Sequence, residues 1–328
     1  MAVLAAVAIL LIASGAGTYV YARAIERRYP AVGPLVDIGS GRIHCVDTRP
    51  DGPERATVLL VHGASGNFAD LHVALADRLA ARGFRVISVD RPGHGWSDRQ
   101  APREIATRPE RQAEWIRAAL ERLGVERAIV VVHSLAGALG LAMAIDSPDF
   151  VEGLVLLAPA SHPRPGGVSW YYGLSTLPVI GPAFRWLVAP WAAHLMIDQG
   201  LRSVFAPDPT PPDYARRTGL TLMLRPRHFL FNAEDVVDFE GHVRRLQPTY
   251  GQVTRPTAVV TGDRDQVVYA DIHSFGIQRD VPGATLTVIR DLGHSPHFSR
   301  PDAVLAAIED VYTRARPALE TSPGRVAV

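Results

Sequence analysis

Cysteine is almost missing from the 328 residues: Cys45 stands alone. That excludes an internal disulfide framework, and no metal-ligand spacing surrounds it. Within the strand-like RIHCVDT it reads as a small buried residue rather than a reactive thiol. An excess of one charge is missing too, since Lys and Arg total 34 against 33 for Asp and Glu. No long run of either sign occurs, so neither nucleic acid nor an acidic partner is indicated. The chain has no HExxH, Cys-x-x-Cys or Walker loop, and the glycine pairs of GSGRI and GHGW make no phosphate cradle. No metal, nucleotide or other cofactor is therefore expected. Internal repeats and low-complexity tracts are also lacking. What remains is a chain 47% hydrophobic, enough for one large domain with an insertion or for two modest ones.

Charge is missing most conspicuously at the start. Residues 2–22, AVLAAVAILLIASGAGTYVYA, carry no charged side chain. About 20 helical residues at about 1.5 Å each give roughly 30 Å, one hydrocarbon thickness. Tyr19 and Tyr21 stand where interfacial aromatics belong, and Arg23, Arg27 and Arg28 follow. The segment reads as a single membrane anchor over residues 1–29. A cleaved signal peptide is the rival, with ASGA as its cleavage site, but no Lys or Arg precedes the apolar run. A buried core helix is the third reading. The positive-inside rule keeps the domain that follows cytoplasmic, whereas signal-peptide cleavage would export it.

Beyond Pro30 and Pro34 strand and helix signals alternate. LVDI and RIHCVDT, split by Gly39-Ser40-Gly41, read as a hairpin. TVLLVHG, FRVISVD, AIVVVHS, VEGLVLLAP, TAVVTGD and ATLTVIR are apolar runs of strand length. Stretches with helical periodicity lie between most of them, and a last helix runs from Pro301 to about Arg314. Such alternation predicts a mostly parallel sheet with helices on both faces. Residues 161–255 break the rhythm: they have no clear strand and are rich in Trp, Tyr, Leu and Pro. A stretch that long has structure of its own, so a mostly helical cap is expected there. The layout is then an anchor and linker (1–29), a core (30–160 and 256–314), a cap (161–255) and a disordered tail (315–328).

IVVVHSLAGALG, residues 129–140, reads as a strand turning into a helix with Ser134 at the corner. A serine there is a nucleophile only with a base, an acid that orients the base, and an oxyanion site. The Leu135 amide, at the helix start, points toward a developing oxyanion. VHGASG supplies a second amide after an earlier strand, with Ala64 the first residue beyond His-Gly. DLGHSPHFSRPDAV offers His294 as the base, and VVTGDRDQVV offers Asp265 or Asp263 as the acid.

With these residues the sequence resembles the α/β-hydrolases, specifically the capped single-domain type, over about residues 33–314. HGASG, DRPGHGWS, HSLAGA and GDRDQVV…GHSPHFSRPDAV match in order. The resemblance implies an eight-stranded, mostly parallel sheet, a Ser134–His294–Asp265 triad with Asp265 ahead of Asp263, and an oxyanion hole at Ala64 and Leu135. It departs at two places where such elbows carry glycine: Val132 and Ala136. Small residues are favoured there because the serine backbone is strained and strand and helix pass closely. Alanine adds one methyl, whereas valine crowds the turn, and the retained Gly137 is expected to relieve part of this.

Other polar residues take structural readings. Asp90 ties loop amides, His62 orders the oxyanion loop, and His297 caps a turn or bonds backbone. His133 points to the other face of its strand. Trp170, Tyr171 and Tyr172 are chiefly cap packing, with Trp170 and Tyr171 as candidate substrate-binding residues. The implied activity is cleavage of an ester or related acyl bond in a hydrophobic small molecule. Serine rather than aspartate as nucleophile argues against epoxide hydrolysis and dehalogenation. Alternatives are C–C bond hydrolysis or cofactor-free perhydrolase and haloperoxidase chemistry on the same triad, or a non-catalytic membrane-tethered binding protein on the same scaffold.

Overall fold

The computed structural model describes residues 1–320. Eight strands form one sheet: β1 (Leu35–Asp37), β2 (Arg42–Thr48), β3 (Ala56–Val61), β4 (Phe84–Val89), β5 (Ala128–His133), β6 (Val151–Leu157), β7 (Thr257–Gly262) and β8 (Thr285–Ile289). Their spatial order is β1-β2-β4-β3-β5-β6-β7-β8. β2 runs antiparallel to β1 and β4, and every other pairing is parallel. The predicted eight-stranded, mostly parallel sheet is therefore present.

The apolar runs of β3, β4 and β5 follow from burial on both faces, which parallel strands joined by helical crossovers require. In β5, Val130 and Val132 face one core layer with the helices Pro109–Arg122 and Ala136–Asp146. Ile129 and Val131 face the other, beneath the helices Ala69–Ala80 and Pro301–Glu320. The last helix continues past the expected end near Arg314, since Ala315 is buried and the Arg316 guanidinium lies 5.6 Å from the Tyr312 ring one turn back. This replaces the first part of the tail expected at 315–328, and residues 321–328 lie outside the described residues.

Between β6 and β7 the chain is helical: Trp170–Thr176, Ile180–Leu187, Ala189–Phe205, Tyr214–Arg217 and Pro226–Leu246. The last is fixed to the core through a buried ion network. Asp235 accepts from Arg91 Nη1 (2.9 Å), Arg99 Nη1 (2.9 Å) and Gln112 Nε2 (3.1 Å).

The N-terminal helix, Ala2–Arg28, is apolar and long enough to cross a bilayer. Only Thr18 and Ile25 are buried, so it is not a core helix. Its second half nevertheless docks on the domain. Ser14 Oγ donates to the Leu187 carbonyl (2.8 Å), and Tyr21 stacks on Trp191 with ring centroids 5.7 Å apart. Beyond the helix, Trp96 Nε1 donates to the Tyr29 carbonyl (3.0 Å).

Candidate active site

The C-terminal ends of β3, β5, β7 and β8 lie along one edge of the sheet, so the loops that leave them converge. Ser134 follows β5 directly with φ +55°, in the left-handed region that non-glycine residues rarely enter. Such a conformation costs on the order of 1–3 kcal/mol and turns the side chain out of the sheet edge. His294, in the loop after β8, has Nε2 2.8 Å from Ser134 Oγ and Nδ1 2.7 Å from Asp265 Oδ2. Because the carboxylate accepts from Nδ1–H, Nε2 is left to accept from the serine. Asp265 also accepts from the amides of Val267 (2.8 Å) and Val268 (2.9 Å). Asp263 is exposed and accepts from the Asp291 amide (2.7 Å), away from His294.

Burial acts on both titratable partners. It pushes the His294 pKa down against the opposing pull of the Asp265 carboxylate, and the net position is below the usual imidazole value. It pushes Asp265 up, but His294 and the two amides outweigh it and hold the carboxyl below its ordinary range. The geometry thus supplies a neutral acceptor on a serine hydroxyl, backed by an ionised carboxylate.

The loop after β3 presses against this corner. A Cβ on Gly63 would lie 2.8 Å from Ser134 Cβ, so the approach requires glycine. Among the described residues no acceptor within the chain takes the Ala64 or Leu135 N–H. His62 donates from Nδ1 to the Gly63 carbonyl (2.8 Å) and accepts the Arg91 amide at Nε2 (3.0 Å), with burial pushing its pKa down to about 4. It therefore orders the loop as a neutral ring.

A family model described as alpha/beta hydrolase fold matches residues 56–301. The chain belongs to the alpha/beta hydrolase fold family. It is 28% identical over 280 residues to a 2-hydroxy-6-oxononadienedioate/2-hydroxy-6-oxononatrienedioate hydrolase of Cupriavidus pinatubonensis, covering 82% of this chain and 90% of that one. Among solved structures it is similar to an esterase from Exiguobacterium antarcticum (TM-score 0.67, 20% identity, 85% of this chain and 99% of that one). It is also similar to the enol-lactonase from Burkholderia xenovorans (TM-score 0.64, 18% identity, 85% and 99%). At those identities the two structures speak for the fold alone.

This hydrolase accommodates its atypical elbow through a residue the sequence did not single out. Val132 is fully buried, and a Cβ on Gly140 would lie 2.9 and 3.1 Å from its two methyls. The helix gives room to the valine one turn in, at Gly140 rather than at the expected Gly137. Gly137 instead lets the helix approach Pro159 and Ala160. Gly140→Ala is expected to lower stability by about 1–3 kcal/mol through overpacking. Adding Val132→Ala should restore much of the loss, a coupling that urea unfolding of the two single variants and the double variant would read.

Asp90 ties loop amides as expected, accepting from Phe68 N (2.7 Å) and Trp96 N (2.8 Å). Trp170 opens its helix and lies 73% exposed, with its ring against those of Tyr171 and Phe184. Tyr171 is half-buried, its ring 6.1 Å from that of Trp170 and 4.5 Å from that of Tyr172. The next residue, Tyr172, turns inward to Ser65 and Asn232, and burial with the adjacent Tyr171 pushes its phenol up to about 12. Asn232 clamps the loop after β3: Oδ1 accepts the Ser65 amide (2.6 Å) and Nδ2 donates to Ser65 Oγ (3.1 Å).

His297 bonds a carboxylate rather than backbone. Its Nε2 lies 3.3 Å from Asp70 Oδ1, which also accepts from Tyr214 OH (2.7 Å). Asp70 is held well below the usual carboxylate range, its burial outweighed by His297 and His133. His133 donates from Nε2 to the His294 carbonyl (2.9 Å), and its ring lies 4.8 Å from the His294 ring. Asp70, His133 and His297 thus back the His294 loop from behind. The His-Ser pair in HSLAGA was the available signal for His133, whereas nothing local marked Asp70.

Proposed function

We propose that this chain is a serine hydrolase cleaving an ester or related acyl bond of a hydrophobic small molecule. The observation that carries the reading is the continuous Asp265–His294–Ser134 hydrogen-bond chain, 2.7 and 2.8 Å, on a serine held at φ +55°. Ser134 Oγ attacks the acyl carbon while His294 Nε2 takes its proton, and Asp265 stabilises the imidazolium. The Ala64 and Leu135 amides hold the oxyanion of each tetrahedral intermediate. His294 returns the proton to the leaving group, then activates the water that releases the acyl group from Ser134. The apolar surroundings of the cap favour an apolar acyl or alkyl part.

The helix Ala2–Arg28 serves as a retained membrane anchor, with Arg23, Arg27 and Arg28 holding the domain on the cytoplasmic side. Retention is supported by the contacts of Ser14 and Tyr21 with the cap, which cleavage after ASGA would break or loosen. A second reading, C–C bond hydrolysis on the same triad, is favoured by the names of relatives such as the Cupriavidus hydrolase. Product analysis with a simple ester against a vinylogous diketone separates the two.

The first test is fluorophosphonate labelling of the full chain in detergent, with mass spectrometry to locate the adduct. An adduct on Ser134 is expected, and its rate of formation should fall on the acid side. The sign follows from His294, which is a base only when neutral. Burial lowers its pKa, so the acid limb should have its midpoint below the unperturbed value of about 6.5. An adduct elsewhere, or none on folded protein, would overturn the assignment.

A further inference from the structure

Resting on the reading of Ala2–Arg28 as a membrane anchor, we infer that the cap is itself immersed in the bilayer face beside the anchor. The argument begins with where the anchor touches the cap. Ser14 donates to the Leu187 carbonyl, and Gly15 faces a Leu187 methyl at 3.6 Å as measured from a Cβ built on it. Gly17 faces Trp191 at 3.1 Å on the same measure. Tyr21 stacks on Trp191, and its hydroxyl lies 2.8 Å from His194 Nδ1.

These contacts fix depth. The first charged residue of the helix is Arg23, nine residues beyond Ser14. At about 1.5 Å per residue, Ser14 lies about 13 Å deeper in the membrane than Arg23, less a small correction for tilt. A cap residue bonded to Ser14 shares that depth, so Leu187 cannot sit in bulk water while the anchor spans the bilayer.

The cap surface has the composition such a position demands. Val179, Ile180, Trp186, Val188, Leu195 and Met196 are all exposed. Arg185 is the only Arg, Lys, Asp or Glu between Arg164 and Asp198, and its guanidinium turns back to the Ser175 carbonyl. So many exposed large apolar residues within one short stretch of the cap mark an interaction surface, and the occupant is set by what lies alongside. Both elements change character at one level. On the anchor, apolar residues give way to Tyr19 and Tyr21, then to Arg23 and Glu26. On the helix Ala189–Phe205, Trp191 and His194 stand opposite Tyr21, and exposed Asp198, Gln199 and Arg202 follow. One plane just past the Tyr21–Trp191–His194 cluster, beyond Leu195 and Met196, therefore separates apolar from charged surface on both, as a headgroup boundary does.

The test reconstitutes the full chain in phosphatidylcholine vesicles. Cysteines are introduced one at a time as Leu195→Cys, Val179→Cys, Ile9→Cys and Asp149→Cys and labelled with bimane. Native Cys45 stays silent, since it is buried and its thiol is pushed up to about 12. Asp149 precedes β6, at the end of the sheet away from the cap. Lipids with a nitroxide on the acyl chain should remove most of the emission at Leu195, Val179 and Ile9 and spare Asp149. Quenching at Ile9 with Leu195 and Val179 open to aqueous iodide would overturn the immersion of the cap and leave the anchor standing. No quenching at Ile9 would overturn the anchor reading and the depth argument with it. Cap labels shielded from both quenchers would mean a second protein copy covers the face, which also overturns the proposal.

Discussion

Ser134→Ala should lower kcat/KM for a medium-chain p-nitrophenyl ester by on the order of 10⁵–10⁶-fold, with the fold intact. Alanine keeps the Cβ that the left-handed backbone must tolerate, so the strain at φ +55° is unchanged and only the nucleophile and its bond to His294 are lost. His294→Ala should cost about as much, and the double variant little more, because members of such a unit act together. Asp265→Asn should fall by about 10⁴-fold, since an amide favours the wrong tautomer of His294. Steady-state kinetics on the four proteins, with melting temperatures alongside, decide the matter. Substantial turnover by the Ser134→Ala protein would remove Ser134 as the nucleophile.

Asp235→Ala should be the most destabilising single change away from the site. The carboxylate is fully enclosed and accepts from two guanidiniums and an amide. Removing it leaves Arg91 and Arg99 buried beside each other with their main counter-charge gone, a loss of about 3–5 kcal/mol. For a domain of this size that corresponds to a fall in Tm on the order of 10 °C. Activity should drop as well. Asn232, one turn earlier on the same helix, holds the Ser65 amide, so a loosened helix releases the oxyanion loop. Calorimetry and kcat on the Asp235→Ala and Asp235→Asn proteins check both effects. Asparagine should lie between wild type and alanine, because it keeps an acceptor while losing the charge.

The middle of the sheet was legible because its strands are buried on both faces, which writes them as uninterrupted apolar runs such as ATVLLV and AIVVVH. Ser134, Asp265 and His294 were legible because each sits in the turn that follows a strand, where glycine and polar residues break the apolar run. The supporting residues were not. Asn232 meets Ser65, Asp235 meets Arg91, and Asp70 meets His297, all across more than a hundred residues of chain. No local periodicity encodes such pairs. Val132 is an instructive case, since its neighbour Gly140 is only eight positions away. The two belong to different elements, and their contact follows from how the strand and the next helix are stacked. Whether Trp170 lines a pocket is not written in the sequence, because an aromatic cluster reads the same on either side of a cap.

The helix Ala189–Phe205 has a consequence for how this enzyme should be handled. Near its start it leans on the anchor through Trp191, and at its far end the Val204 carbonyl accepts the His294 amide at 3.3 Å. One rod of about 20 Å therefore joins the face that packs on the N-terminal helix to the backbone of the proposed base. A fragment cut free of residues 1–29 would keep Ser134, His294 and Asp265 and lose the surface on which the start of that helix rests.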